Sequence, residues 1–388
     1  MKSTMEMAAQ NRPTGSIFLI WSLLALLACN SAAAAATPSP MRLGKRRSKH
    51  VKIVHPLGNS GEGDVTTFDD PVIRQAAIQG LGKFTGSVVA IDPNSGRILS
   101  IVNQKMAFSD GFIPCSTIKP VIAVAALQEG VVTRESMIKV SRRKSMNLTE
   151  ALAHSNNPYF EELGRRMGFD TVSKYARTMG LGELSGYEIP QEQPGVVPMA
   201  PPARGGVARM SSFGEGISMT PLQLGAMAAS VENGGVLYYL QYPQSAEEAE
   251  RFEPRVKRTL DIQASLPDLR EGMRAAVSRG TARRSNLTED DQVAGKTGSC
   301  SEAGSRLGWF VSYMDQKDLK LVLVILLRGN THSVRGPMAA GIAGRIYRGL
   351  QAAEYSTPAQ AATLADAPAP TAAPAAEPVA TTASNPAE

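Results

Sequence analysis

The feature that most constrains this fold is the placement of strand-like segments at both ends of one long central region. Gly86–Asp92 and Arg97–Val102 flank a Pro-Asn-Ser-Gly turn, a pattern typical of a β-hairpin. Two further apolar strands are expected at Leu307–Tyr313 and Leu319–Leu327, followed by a closing helix at Met338–Leu350. Strands at both ends with helices between them predict an α+β domain whose two ends meet in one sheet.

The first 36 residues have the layout of an export signal. Ile17–Ala28 is a short apolar run that follows Lys2 and Arg12. Leu26-Leu27-Ala28-Cys29 resembles a bacterial lipobox, in which Cys29 would be acylated; cleavage within Ala32–Ala36 and an uncleaved anchor are the alternatives. All three predict an exported protein of the cell envelope or periplasm, tethered to the membrane by lipid or anchor in two of them.

Composition divides the rest of the chain into three parts. Residues 37–63 are basic and suit a flexible linker or a contact with anionic polymer or lipid, residues 64–350 suit one large domain, and the Ala/Pro-rich residues 351–388 predict a disordered tail. The net charge of +6 lies partly in the linker without interleaved aromatic residues, so no nucleic-acid partner is expected. Four histidines without ligand spacing predict no metal and no cofactor.

Ser116 lies three residues before Lys119, at the start of an apolar helix predicted over Pro120–Leu127. This spacing places both side chains on one helix face. A partly desolvated lysine can act as the base that a serine nucleophile requires. Taken alone, the spacing also fits an ordinary solvated helix face.

Two further motifs follow in a fixed order, Ser155-Asn156-Asn157 and Lys296-Thr297-Gly298-Ser299. Together with Ser116-x-x-Lys119 they resemble the signature set of penicillin-binding proteins and class A β-lactamases. The wider match, over about Pro71 to Leu350, is to class B penicillin-binding proteins. It rests on the segments Ala90–Leu99, Ile113–Pro120, Ala153–Phe160, Phe213–Leu224, Glu232–Gly235, Gly280–Ala282 and Ala294–Ser299.

This resemblance implies a transpeptidase fold like that of the serine β-lactamases, with an antiparallel sheet, helices on both of its faces and an all-helical subdomain. It implies a peptidoglycan D,D-transpeptidase that forms a serine acyl-enzyme with D-Ala-D-Ala stem peptides and is acylated by β-lactams. A D,D-carboxypeptidase, a β-lactamase and a non-catalytic β-lactam sensor or division scaffold are the alternatives. Cell-division or elongation proteins are the partners that the family implies.

The resemblance also assigns roles to residues on the catalytic side of the site. Ser116 would be the nucleophile and Lys119 its base. Ser155 would relay a proton to the leaving D-alanine, and Asn157 would bind both the substrate amide and Lys119.

The third motif would hold the substrate. Lys296 would make the pocket electropositive, and Thr297 with Ser299 would bind the terminal carboxylate. Gly298 would leave room for the peptide to lie against the strand. The backbone N–H groups of Ser116 and Ser299 would form the oxyanion hole.

Cys115 and Cys300 flank the first and third motifs. Some class A carbapenem-hydrolysing β-lactamases carry a disulfide at the equivalent two places, so the resemblance implies a Cys115–Cys300 disulfide, with two buried thiols as the alternative. An exported protein permits such a bond.

Several other residues receive a more ordinary interpretation. Gly214-Glu215-Gly216 is predicted to be a turn before a helix over Pro221–Val231, with Thr220 as its N-cap. His154 is interpreted as a packing or surface histidine. The β-lactamase alternative would need a carboxylate from residues 180–198, which contain Glu183, Glu188 and Glu192.

Overall fold

The computed structural model describes residues 60–287, 293–316 and 319–357. The predicted export signal with Cys29, nearly all of the basic linker and the tail from residue 358 lie outside these ranges. Within them, no helix is both long enough and apolar enough to cross a membrane.

A five-stranded antiparallel sheet organises the domain, and its strand order is β2-β1-β9-β8-β7. The chain enters it through the predicted hairpin and leaves it through the predicted pair of long strands, so the two ends of the domain meet as expected. The bounds are β1 Gly86–Ile91, β2 Ile98–Val102, β7 Val293–Glu302, β8 Ser305–Asp315 and β9 Lys320–Gly329.

Both faces of the sheet are buried, which explains why β9 has an almost continuous apolar sequence. Val322, Val324 and Leu326 point into one core, and the alternate residues Leu323 and Ile325 point into the other. Side chains alternate across a strand, so a strand covered on both faces must be apolar at every position. This arrangement confirms an antiparallel sheet with helices on both faces.

Helices cover the two faces from different parts of the chain. The first and last helices pack together on one face, and the helices between them build the other face and the helical region. Their bounds are α1 Pro71–Leu81, α2 Gln104–Ala107, α3 Lys119–Gln128, α4 Leu148–Ala153, α5 Asn157–Thr178, α6 Gly206–Phe213, α7 Pro221–Glu232, α8 Ala246–Glu250, α9 Leu266–Ser278 and α10 Gly336–Ala352.

Two small antiparallel hairpins accompany the helices. They pair β3 (Ile138–Ser141) with β4 (Lys144–Met146), and β5 (Val236–Tyr238) with β6 (Val256–Thr259). The helical region is therefore not made of helices alone, because the short β3–β4 pair joins α3 to α4.

The predicted start of α7 is confirmed in detail. The Thr220 side chain accepts from the backbone N–H of Gln223, the Gln223 side chain accepts from the Thr220 N–H, and Pro221 lies in the first turn. This reciprocal capping box satisfies two N–H groups that the helix itself leaves unpaired.

The closing helix α10 is also confirmed, and it continues to Ala352, slightly beyond the predicted end of the domain at residue 350. Tyr355 then donates to Asp70 at 2.8 Å, and Thr357 bonds the backbone of Lys320. These contacts attach the chain after α10 to both α1 and β9.

Candidate active site

The segment that carries Ser116 is a single helical turn, Cys115–Ile118, that leads directly into α3. Thr117 closes this turn by donating its hydroxyl to the Pro114 carbonyl at 2.6 Å. Ser116 is half-buried, whereas α3 behind it is almost completely buried. The fold therefore presents the serine at the end of a rigid apolar helix.

Lys119 lies beneath Ser116 as the three-residue spacing predicts. Its side chain is 0% exposed, and its Nζ lies 2.7 Å from Ser116 Oγ and 2.6 Å from Asn157 Oδ1. The Nζ is also 3.1 Å from the Ser155 carbonyl and 3.3 Å from Ser155 Oγ. The first and second motifs thus meet at one amine.

Ser155 connects the two lysines of the site. It lies in the short connection between α4 and α5, with a left-handed backbone (φ 54°), and the Asn156 side chain caps α5 immediately after it. Its Oγ accepts from Lys296 Nζ at 2.8 Å. A hydroxyl held between two amines can pass a proton from one side of the cleft to the other.

Protonation of both lysines at once is energetically unfavourable, because both side chains are fully buried. Burial lowers the pKa of Lys119 well below its ordinary value, and the charge of Lys296 lowers it further, although Glu161 opposes this shift. Burial also lowers the pKa of Lys296, to about 7. The lowered pKa of Lys119 favours its neutral form, in which a lone pair can face Ser116.

The third motif lies on β7, the edge strand beside the nucleophile turn. Ser299 is exposed, and its hydroxyl accepts from the Gly336 N–H at the start of α10 at 2.8 Å. Thr297 is buried, and its Oγ1 lies 2.6 Å from Thr281 Oγ1. Lys296 points to the opposite side of the strand, towards Ser155, and donates to the Thr297 carbonyl at 2.9 Å.

The glycine of this motif is also required by packing within the protein. A Cβ at Gly298 would lie 3.0 Å from the Pro114 carbonyl oxygen and 3.2 Å from Thr117 Cγ2. The absence of a side chain lets the nucleophile turn pack directly on β7, rather than only making room for a peptide.

Three connections attach the residues before Ser116 to the sheet. Cys115 and Cys300 form a disulfide with a Cα–Cα distance of 5.7 Å. Ile113 donates its N–H to Glu302 at 2.9 Å and accepts from the Trp309 indole at 3.1 Å. Neither Glu302 nor Trp309 was singled out from the sequence, since nothing local marks a residue that supports a loop almost 200 positions away.

The carboxylates considered for a β-lactamase have other partners. Glu192 accepts from the N–H groups of Ser185 and Gly186, and Glu183 pairs with Lys257 at 2.9 Å and with Arg258. Glu188 lines a separate cleft with Tyr187 and Tyr242.

His154 is exposed and lies 3.3 Å from Glu150 one turn earlier, as a surface histidine would. Among residues 60–287, 293–316 and 319–357, no cluster of three or more metal-ligating side chains occurs.

Comparison with known proteins agrees with this geometry. Residues 86–348 match the family described as the penicillin binding protein transpeptidase domain. Stage V sporulation protein D of Bacillus subtilis is 25% identical over 312 residues, which cover 67% of this chain and 48% of that protein. Peptidoglycan D,D-transpeptidase MrdA of Haemophilus influenzae is 24% identical over 352 residues, which cover 70% of this chain and 54% of that protein. The chain spans about half the length of these curated relatives.

The fold has a solved counterpart as well. The crystal structure of Pseudomonas aeruginosa PBP2 in complex with WCK 5153 superimposes with a TM-score of 0.63 at 21% identity, covering 74% of this chain and 77% of that one. This likeness confirms the α+β fold and the arrangement of its sheet.

Proposed function

Because the chain belongs to the family of penicillin-binding protein transpeptidase domains, we propose that it is a peptidoglycan D,D-transpeptidase acting through an acyl-enzyme at Ser116. The single observation that carries this proposal is the position of the fully buried Lys119 amine, 2.7 Å from the Ser116 hydroxyl. Relatives named as peptidoglycan D,D-transpeptidases support the choice of reaction.

In the first step, neutral Lys119 accepts the Ser116 proton while Ser116 Oγ attacks the carbonyl carbon of the penultimate D-alanine. The oxygen of that carbonyl becomes negative and accepts from the N–H groups of Ser116 and Ser299. Preorganised donors of this kind are typically worth about 3 kcal/mol each in the transition state.

In the second step, the C–N bond to the terminal D-alanine breaks and its nitrogen takes up a proton. Ser155 donates its hydroxyl proton to that nitrogen and receives a proton from Lys119 in exchange, since its hydroxyl lies between Lys119 and Lys296. The proton taken from Ser116 thus leaves with D-alanine, and the acyl group remains on Ser116 as an ester.

The donor substrate is recognised by its terminal carboxylate. Lys296, when protonated, attracts this charge, and the hydroxyls of Thr297 and Ser299 provide hydrogen bonds to it. Asn157 holds Lys119 through its side-chain oxygen and has its amide N–H₂ left to bind the substrate backbone. A β-lactam with its carboxylate in the same place would acylate Ser116 in the same way.

The ester is then transferred to an amine of a second stem peptide. Transfer to water would instead make the protein a carboxypeptidase or, with β-lactams, a β-lactamase. The hydrogen bonds and ion pairs of Glu183 and Glu192 within the fold argue against either of these two carboxylates as the base that activates such a water. We further propose that the domain acts outside the cytoplasmic membrane, tethered by its first 36 residues, where its substrate is found.

The proposal is tested by incubating the purified protein with pentapeptide-containing muropeptides and separating the products by chromatography and mass spectrometry. We expect D-alanine release with formation of cross-linked dimers, and loss of both in Ser116→Ala. Ser109→Ala is the matched control and should remain active, since among the residues that the structure describes the Ser109 hydroxyl bonds only the Met106 carbonyl.

Other product patterns would identify the alternatives. D-alanine release without dimers would identify a carboxypeptidase, and rapid penicillin turnover would identify a β-lactamase. No reaction of the wild-type protein with either substrate would overturn the acyl-transfer proposal.

A further inference from the structure

Thr281 lies outside the three motifs, yet its hydroxyl touches one of them. It follows α9 in the chain, is half-buried, and places its Oγ1 2.6 Å from Thr297 Oγ1. This contact is among the shortest side-chain hydrogen bonds of the site. It joins a residue with no assigned role to one of the two hydroxyls that would bind the substrate carboxylate.

The position of Thr281 is fixed from the other side of the cleft. Its backbone N–H donates to the Ala153 carbonyl at 3.0 Å, and a Cβ at Gly280 would overlap that same carbonyl oxygen. Ala153 is the last residue of α4, two positions before Ser155. Thr281 therefore connects the Ser155 motif to β7.

Two neighbouring contacts make this connection rigid. Ala282 donates its N–H to the Ala276 carbonyl of α9 at 2.8 Å, and Arg279 donates its N–H to the Ala275 carbonyl of the same helix at 3.1 Å. Because the backbone on both sides of Thr281 is hydrogen-bonded, the Thr281 hydroxyl is held next to that of Thr297.

The chemistry of a hydroxyl pair gives this contact a direction. Each hydroxyl has one proton to donate and lone pairs to accept with. When Thr297 donates its proton to a substrate carboxylate, the bond between the two threonines requires Thr281 to be the donor. Donation by Thr281 then occupies a lone pair of Thr297 and turns the Thr297 proton towards the substrate.

We propose that Thr281 is a positioning residue that orients the Thr297 hydroxyl as a donor to the substrate carboxylate. This inference rests on the proposed function and refines it, because it assigns part of the selectivity for carboxylate-bearing donors to a residue that does not touch the substrate. The Thr281 hydroxyl should matter for substrates with a free carboxylate and hardly at all for substrates without one.

The test compares Thr281→Val, which removes the hydroxyl at nearly constant volume, with Thr281→Ser, which keeps it. Second-order acylation constants are measured for a penicillin and for its methyl ester. We expect Thr281→Val to lower the constant for the penicillin about fivefold, which corresponds to the loss of one net hydrogen bond of about 1 kcal/mol. The constant for the methyl ester should change less than twofold, and Thr281→Ser should restore the penicillin value.

Ser285→Ala is the matched control, since Ser285 is in the same segment and, within the described part of the chain, its hydroxyl bonds only the Ala282 carbonyl. It should leave the ratio of the two acylation constants unchanged. Should Thr281→Val fail to fold, Thr281→Ala provides the same ratio.

Equal losses for penicillin and ester in a folded hydroxyl-free variant would show a merely structural role and overturn the inference, as would an unchanged penicillin constant. Both results would leave the proposed function intact. Absence of acylation in the wild-type protein would instead refute the proposed function, and the inference would fall with it.

Discussion

The Cys115–Cys300 disulfide offers the most quantitative prediction about stability. It joins positions 185 residues apart, so breaking it releases a very long loop in the unfolded chain. In the chain-entropy account, a loop of this length corresponds to about 5 kcal/mol of unfolding free energy. Ile113 keeps its bonds to Glu302 and Trp309 in the folded state, so the native segment need not collapse when the bridge is lost.

The backbone at Cys115 allows this effect to be separated from local strain. Its φ is +52°, a conformation that costs a residue with a side chain about 1–2 kcal/mol and costs glycine little. We therefore compare two variants that both lack the bridge, Cys115→Ala/Cys300→Ser and Cys115→Gly/Cys300→Ser. The alanine variant should lose up to about 5 kcal/mol, and the glycine variant should recover about 1 kcal/mol of that loss.

Urea unfolding followed by circular dichroism measures both differences. Dithiothreitol should lower the wild-type midpoint towards those of the variants and leave the variant midpoints unchanged. The reasoning is refuted if the alanine variant unfolds at the same urea concentration as oxidised wild type, or if mass spectrometry of the non-reduced protein finds both thiols free.

Three further predictions concern the chemistry of the site. Lys119→Arg should slow acylation by penicillin by about 10²–10⁴-fold, the usual contribution of a general base to a rate, because a guanidinium does not give up its proton. Near-normal acylation rates in stopped-flow measurements would contradict the assignment of Lys119 as the base. The second-order acylation constant should decrease at low pH, because Lys119 becomes protonated, and should decrease again above about pH 7, because Lys296 of the free enzyme loses its proton and attracts the carboxylate less. The alkaline decrease should be missing for an ester that lacks the carboxylate. An alkaline decrease with that ester would rule out Lys296 as its cause. Gly298→Ala should lower the free energy of unfolding by about 1–3 kcal/mol through overpacking and should also slow acylation, because the added Cβ would contact the nucleophile turn at Pro114. Urea unfolding and penicillin labelling measure the two effects. A variant with the stability and acylation rate of wild type would show that this close contact is not needed.

Local patterns were sufficient to predict four of the five strands of the sheet, whereas β7 was expected only as the strand that the family resemblance implies at Lys296–Ser299. The β1–β2 hairpin followed from a turn between two apolar runs, and β9 followed from the apolar run Leu319–Leu327. The cap of α7 followed from Thr220 directly before Pro221, and the structure adds the reciprocal bond of Gln223. In each case the decisive interactions join residues close in sequence.

Local sequence patterns could not predict contacts between residues that lie far apart in the sequence. The site geometry around Lys119 was expected because a family resemblance supplied it, and the spacing Ser116-x-x-Lys119 alone fitted an exposed helix as well. Thr281 precedes Thr297 by 16 positions, and Ile113 precedes Glu302 by 189 positions. Their roles depend on how the sheet and the helical region pack, which no local pattern in the sequence encodes.

The central claim, that Ser116 is the acylated nucleophile, is tested most directly by mapping the adduct of a penicillin. Protein treated with penicillin is digested and its peptides are sequenced by mass spectrometry, beside Ser116→Ala and Lys119→Arg. The account predicts one penicilloyl group, on Ser116, absent from the first variant and formed slowly in the second. An adduct on another residue, or a wild-type protein that stays unmodified, would contradict it.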